Sequence, residues 1–231
     1  MCTVTYVPFE NGDFILTSSR DVPFSRKPAH PPKTEIQDGI AVHFPRDGEA
    51  GGSWIGYSSR ERLICLLNGG FQDHQTQESY RKSRGHIVIE LLKVEDINLG
   101  LKEIDLVNIE PFTLVIVEWD FNVFGFEFVW DGRRKHFRML SNEPQIWSSS
   151  TLYSPEVKSK RQKWFQEWRR EKAMDRENLL EFHRTAGEGD PKTDVLMLRK
   201  GGGTVSITSV VKTGSTIDMA YTPVDVVKLK K

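Results

Sequence analysis

Cysteine, net charge and long apolar runs are all scarce in this sequence, and each scarcity removes a class of protein. Two cysteines, Cys2 and Cys65, in 231 residues make no disulfide framework, so a reduced, cytoplasmic setting is the simpler expectation. The 32 basic and 32 acidic side chains cancel, so no global field draws the chain to nucleic acid or anionic lipid. The longest apolar stretch, "FTLVIVEW", is far short of the roughly 20 apolar residues a membrane helix needs. The first twenty residues alternate polar and apolar groups, unlike a signal peptide, and the expectation is a soluble protein. The six histidines show no HxxxH or Cys-His spacing, and no metal site or cofactor is expected. Gly201-Gly202-Gly203 lacks the Lys-Ser/Thr of a phosphate loop and reads as a turn.

What is present reads as sheet with a few helices, within one domain spanning residues 1–231. "CTVTYVP" alternates and is rich in β-branched residues, "ENGD" signals a hairpin, and "FILTSS" resumes the strand. Val22 to Pro32 holds four prolines and reads as a loop. Short strands around a glycine-rich turn follow in "IAVHFPRDGEAGGSWIGYSS", then "RLICLLNGG". Residues 76–93 read as a helix, with Tyr80, Arg84, Ile87 or Val88, and Leu91 at spacings of three and four. A β-rich block follows: "FTLVIVEW", "VFGFEFVWDG", "RKHFRML" and "QIWSSS".

"SPEVKSKRQKWFQEWRREKAM" reads as a helix capped by Ser154, with Pro155 at its first position and Glu156 in its first turn. Val157, Trp164, Phe165 and Trp168 share one face, and the charges read as a solvated exterior rather than a nucleic-acid surface. "RENLLEFHR" is a second helix, with His183 facing a core or pocket. Three more strands, "DVLMLRK", "TVSITSVVK" and "TIDMAYTPV", complete a layered α+β chain. Cys65, inside "RLICLLN", reads as a buried strand thiol.

Cys2 is the chemically pointed residue. If Asn11 and Gly12 form a two-residue loop, facing positions sum to 23, so Tyr6 faces Thr17 and Cys2 faces Asp21. Removal of Met1 would give Cys2 both a thiol and an α-amine of near-neutral pKa. That amine can take the thiol proton directly or through one water. Asp21 can hold the amine, and Arg20 can stabilise a thiolate.

The pieces "MCTVTYVP", "FILTSSRDVPFSRKP", "FPRDGEAGGSWIGYS" and "RLICLLNGGF", with "FH…GEGD" and "GTVSITSVV" further on, resemble the NRDE family. That family includes the transport and Golgi organisation protein 2 homologues, and the resemblance extends over essentially the whole chain. It implies an α+β fold of N-terminal-nucleophile (Ntn) hydrolase type, a four-layer α/β/β/α sandwich of two mainly antiparallel sheets. It also implies Cys2 as nucleophile, Asp21 as partner of its amine, Arg20 beside them, and Asn68 as an amide donor to an oxyanion. Trp54, Ser149 and Thr204 are the substrate contacts it suggests. The eponymous Asn-Arg-Asp-Glu stands here as Ser19-Arg20-Asp21-Val22, and Val205 replaces the arginine that many relatives carry after Gly-Thr.

Two readings follow. In one, the protein hydrolyses or transfers the acyl group of a small amide. In the other, it binds haem, acyl-CoA or a lipid-like molecule without turnover.

Overall fold

A computed structural model describes residues 3–225. Its elements in chain order are β1 (Thr3–Pro8), β2 (Phe14–Pro23), β3 (His30–Gln37), β4 (Ile40–Arg46), β5 (Ile55–Ser58), β6 (Arg62–Asn68), α1 (Arg84–Lys93) and α2 (Ile97–Glu103). There follow β7 (Phe112–Glu118), β8 (Phe124–Trp130), β9 (Lys135–Met139), β10 (Gln145–Ser148), α3 (Pro155–Glu171), α4 (Arg176–Thr185), β11 (Leu198–Arg199), β12 (Gly202–Thr213) and β13 (Thr216–Pro223). They form two compact units, one of the chain up to Arg26 with Asn142 onward, the other of Lys27–Ser141.

The first unit holds the sheet β10-β1-β2-β12-β11, with β13 also paired to β12, and every ladder in it is antiparallel. Helices α3 and α4 cover one face. Val7 and Ile15 from the sheet pack with Trp164 and Phe165 of α3 and Leu179 and Phe182 of α4. Helix α3 begins as its sequence dictates: the Ser154 side chain accepts from Val157 N, and Pro155 occupies the first turn, where its missing N–H costs nothing.

The first hairpin departs from the expected register. Thr3 pairs with Ser19, Thr5 with Thr17 and Tyr6 with Leu16, so facing positions sum to 22. The loop is three residues long, Glu10-Asn11-Gly12. Phe9 N donates to Asp13 O at 2.9 Å and Gly12 N to Phe9 O at 3.0 Å. Gly12 takes φ 78°, the left-handed residue that ends a three-residue hairpin loop. Asn11 does not turn the chain alone; it accepts from Asp13 N and donates to the Asp13 carboxylate. The basis for setting Cys2 opposite Asp21 is thereby removed, and the pairing of Cys2 itself lies outside the described residues.

The second unit is a meander, β3-β4-β5-β6-β7-β8-β9, antiparallel throughout. Its core joins Ile64, Leu66, Leu114, Ile116, Phe126 and Phe128 from strands to Ile87, Val88, Leu91 and Leu101 from α1 and α2. The expected loop from Val22 to Pro32 is shorter, because β2 runs through Pro23 and β3 begins at His30. Pro31 and Pro32 are tolerated since β3 is an edge strand and its ladder is interrupted between His30 and Lys33.

The helix expected over 76–93 begins only at Arg84, after the Ser83 cap. Arg81 in the preceding segment is instead held by the carbonyls of Asp105 and Val107. Gly85 lies in the first turn, where a Cβ would stand 2.9 Å from Ser53 backbone N and O, so only glycine permits that approach. The strand expected from "DVLMLRK" is reduced to two residues, because the preceding chain turns on itself, with Leu198 N donating to Pro191 O at 2.7 Å.

Candidate functional site

The sheet of the first unit is unusual in what it buries. Thr3, Thr5, Thr17, Ser18, Ser19, Arg20, Asp21, Thr204, Ser206, Thr208 and Ser209 are all buried in β1, β2 and β12. Alternation along β2 places Ser19 and Asp21 on the helix-bearing face, where their partners lie, and Arg20 on the opposite one.

Asp21, only 3% exposed, sits near the end of β2. Tyr153 donates its phenolic O–H to Asp21 Oδ2 at 2.8 Å, and the Thr204 hydroxyl donates to Oδ1 at 2.6 Å. Thr204 is brought there by the β2–β12 ladder, which pairs it directly with Asp21. Its Oγ1 also accepts from Met197 N at 3.0 Å. Both carboxylate oxygens therefore meet a hydroxyl donor.

Tyr153 is itself fixed. The Arg161 guanidinium lies 3.7 Å from its ring centroid and that of Arg199 lies 5.4 Å away. Arg161, fully buried on α3, donates from Nη1 to Thr3 Oγ1 at 2.5 Å and from Nε to Thr193 O at 3.0 Å. Its Nη2 donates to Asp194 O. Next to this group, His183 of α4 is fully buried between Thr5 Oγ1, 3.0 Å from Nε2, and Ser19 Oγ, 2.8 Å from Nδ1. Burial, reinforced by the Arg161 charge, pushes its pKa down to about 3. His183 is a neutral imidazole that donates through one nitrogen and accepts through the other.

The expected site residues divide between the units. Arg20, Asp21, Ser149 and Thr204 belong to the first. Asp21 and Thr204 are in direct contact, while Ser149 follows β10, which pairs with β1, and shares a hydrogen bond with Thr151 at 3.1 Å. Trp54 and Asn68 belong to the second unit. Trp54 O accepts from Leu66 N at 2.8 Å, and Asn68 ends β6 opposite Phe112. Cys2 lies outside the described residues. Cys65 is fully buried in β6.

Tyr153 and Arg161 were not among the expected residues. Tyr153 carries no local signal, since it precedes the helix cap. Arg161 did carry one. It falls in the series 157, 161, 164, 165 and 168, the apolar face of α3, where a charge has to find a partner. Among the described residues, no group of three His, Cys, Asp or Glu side chains could hold a metal ion, and no helix is long and apolar enough to cross a membrane.

The fold has solved counterparts. The Caenorhabditis elegans ortholog of N-acylethanolamine-hydrolyzing acid amidase matches with a TM-score of 0.60 at 11% identity, over 90% of this chain and 92% of that one. A mutant conjugated bile acid hydrolase from Clostridium perfringens matches at 0.55 and 10% identity, over 95% and 92%. At such identities the likeness is one of fold, that of the Ntn hydrolases. No curated protein matches the chain by sequence. The family model described as Transport and Golgi organisation 2 matches residues 1–192, so this chain, with its Ntn-hydrolase fold, belongs to the Transport and Golgi organisation 2 family.

Proposed function

We propose that this protein is an N-terminal cysteine amidohydrolase or acyltransferase that acts on a small linear amide. The observation that carries the reading is Asp21: a buried carboxylate at the end of the strand paired with β1, with a hydroxyl donor on each oxygen. A carboxylate so held is ready to anchor an amine, and the chain supplies one at Cys2 once Met1 is removed. The fold neighbours named above as an amidase and a bile acid hydrolase add support to this choice of chemistry.

The reaction follows from those groups. The α-amine of Cys2 takes the thiol proton, and the thiolate attacks the amide carbonyl carbon. The tetrahedral intermediate collapses as the C–N bond breaks and the α-ammonium returns its proton to the leaving nitrogen. Water, or an acceptor nucleophile in a transferase, then attacks the thioester and frees Cys2. Asp21 holds the amine throughout. Arg20 is proposed to support the thiolate or the substrate, and Ser149 and Thr204 to line the substrate's path. Asn68 as oxyanion donor and Trp54 as a substrate contact are carried over from the family resemblance.

The test is labelling by an acylating, thiol-directed reagent followed by release of the acyl group. Wild-type protein is expected to label once and turn over, and Cys2→Ala to do neither. Labelling that survives Cys2→Ala, or thermal stabilisation by haem or acyl-CoA that is indifferent to the substitution, would favour a binding protein without turnover.

A further inference from the structure

Arg161 poses a problem that packing alone does not solve. It is a fully buried cation, and among the described residues its hydrogen bonds go only to the neutral acceptors Thr3 Oγ1, Thr193 O and Asp194 O. A buried charge without a counter-ion is expensive to keep. An apolar residue at this position of α3, between Val157 and Trp164, would fill the same face without that cost. The charge is held at one place in particular, against Thr3, the residue that follows Cys2 and whose Cα is about 3.8 Å from that of Cys2.

We propose that Arg161 is a positioning residue for the N-terminal nucleophile. It clamps the start of β1 through Thr3 and holds Asp21 through the Tyr153 ring, and its buried charge favours the thiolate and the neutral amine of Cys2. This rests on the reading of Cys2 as nucleophile. A fixed positive charge destabilises a nearby ammonium and stabilises a nearby thiolate. Both effects favour the reactive state, in which the amine accepts a proton and the sulfur attacks.

The other charged groups packed around Thr3 and Asp21 are held as follows. On α4, His183 is neutral. On the segment before β11, the Asp194 carboxylate is occupied by Glu188 N at 2.9 Å. On α3 itself, Lys160 is paired with Glu188, and Lys158 reaches Ser150 Oγ at 2.7 Å. Arg199 lies over the Tyr153 ring and bonds Leu152 O and Lys192 O. On β2, Asp21 accepts hydrogen bonds from Tyr153 and Thr204, and Arg20, on the other face of the sheet, keeps the role proposed for it above, so that the charge of Arg161 adds to its own.

The experiment reads the pH midpoint of Cys2 alkylation by iodoacetamide, by intact mass, in protein that begins at Cys2. R161Q is expected to raise the midpoint by about one pH unit, which is about a tenfold slower reaction below it. R161K, which keeps the charge, is expected to restore most of the difference. If R161Q does not fold, Tyr153→Phe carries the test. It keeps the stacked ring but cuts the link to Asp21, and is expected to slow alkylation at pH 7 by about threefold or more.

An R161Q midpoint equal to that of wild type, or an unchanged rate in Tyr153→Phe when that variant carries the test, overturns this inference alone. A purely structural role for Arg161 would lower the melting temperature and leave the midpoint in place. Wild-type protein that retains Met1, or in which Cys2 reacts no faster than Cys65, overturns the nucleophile reading and this inference with it.

Discussion

The two units are built from the same antiparallel ladders, and each has an apolar core, yet the first also buries a long run of polar side chains on its central strands. In the second, β6 buries Leu63, Ile64, Cys65, Leu66 and Leu67, and β7 buries Leu114, Val115, Ile116 and Val117. In the first, β2 buries Thr17, Ser18, Ser19, Arg20 and Asp21, and β12 buries Thr204, Ser206, Thr208 and Ser209. An apolar strand interior gains about 25 cal/mol for each Å² removed from water. A hydroxyl or charge must recover its desolvation through geometry, and gives less stability for the same space. The contrast assigns work to the units: the second is built on packing, and the first, besides its own apolar cluster, holds polar groups in fixed positions.

The largest expected effect falls on packing. Leu114→Ala, at a fully buried position of β7, should cost about 2–5 kcal/mol in denaturant unfolding and leave Cys2 alkylation of the folded protein unchanged. A loss below about 1 kcal/mol would mean that the second unit does not carry the packing role.

Next comes acid sensitivity in the first unit. The folded-state pKa of His183 is about 3, below the roughly 6.5 of an unfolded histidine. The unfolded chain therefore binds the extra proton first. Stability from this group is complete above about pH 6.5 and falls by about 1.4 kcal/mol per pH unit as pH drops toward 3. His183→Gln should lower the melting temperature at pH 7 and flatten its dependence between pH 6.5 and 4. A variant with the wild-type slope would place the acid sensitivity elsewhere.

Thr204→Val removes the donor to Asp21 and the acceptor of Met197 N together, at an expected cost of about 1–3 kcal/mol. Unlike Leu114→Ala, it should also slow Cys2 alkylation in the folded protein. If both variants alter alkylation equally, the division of work between the units fails.

The smallest effect belongs to an ion pair of the second unit. A hydrogen bond from Arg46 lowers the Glu35 pKa to about 2. Its contribution is complete above the normal glutamate range and is lost as pH falls through 2. Glu35→Gln should cost no more than about 1 kcal/mol at pH 7, seen as a small melting shift with alkylation unaffected.

The apolar unit was the easier to read in the sequence. Its strands at "RLICLLN" and "FTLVIVEW" announce themselves by composition, and burial follows from it. The start of α3 was equally legible, since Ser154 and Pro155 carry their own stereochemistry. The helix over 76–93 was overextended because the 3.6-residue spacing of Tyr80 with Arg84 and Ile87 cannot tell a helix from a segment that Asp105 and Val107 capture by tertiary contact. The register of β1 with β2 was missed by one position. Asn-Gly suits both two- and three-residue loops; a two-residue type I′ loop needs positive φ at Asn11 and Gly12 alike, and here only Gly12 takes it.

At the site, Asp21 and Thr204 were each legible, but their contact depends on a ladder between strands more than 180 positions apart. Arg161 was hidden by the habit of reading charge on a helix as solvated, although its place among Val157, Trp164 and Phe165 argued otherwise.

The central claim is that Cys2 becomes an N-terminal nucleophile, and the intact mass of the native-start protein before and after limited alkylation tests it most directly. The account predicts a mass lacking Met1 and a single adduct that maps to Cys2, with Cys65 unmodified. A mass that retains Met1 on most molecules, or an adduct carried by Cys65 ahead of Cys2, would contradict it.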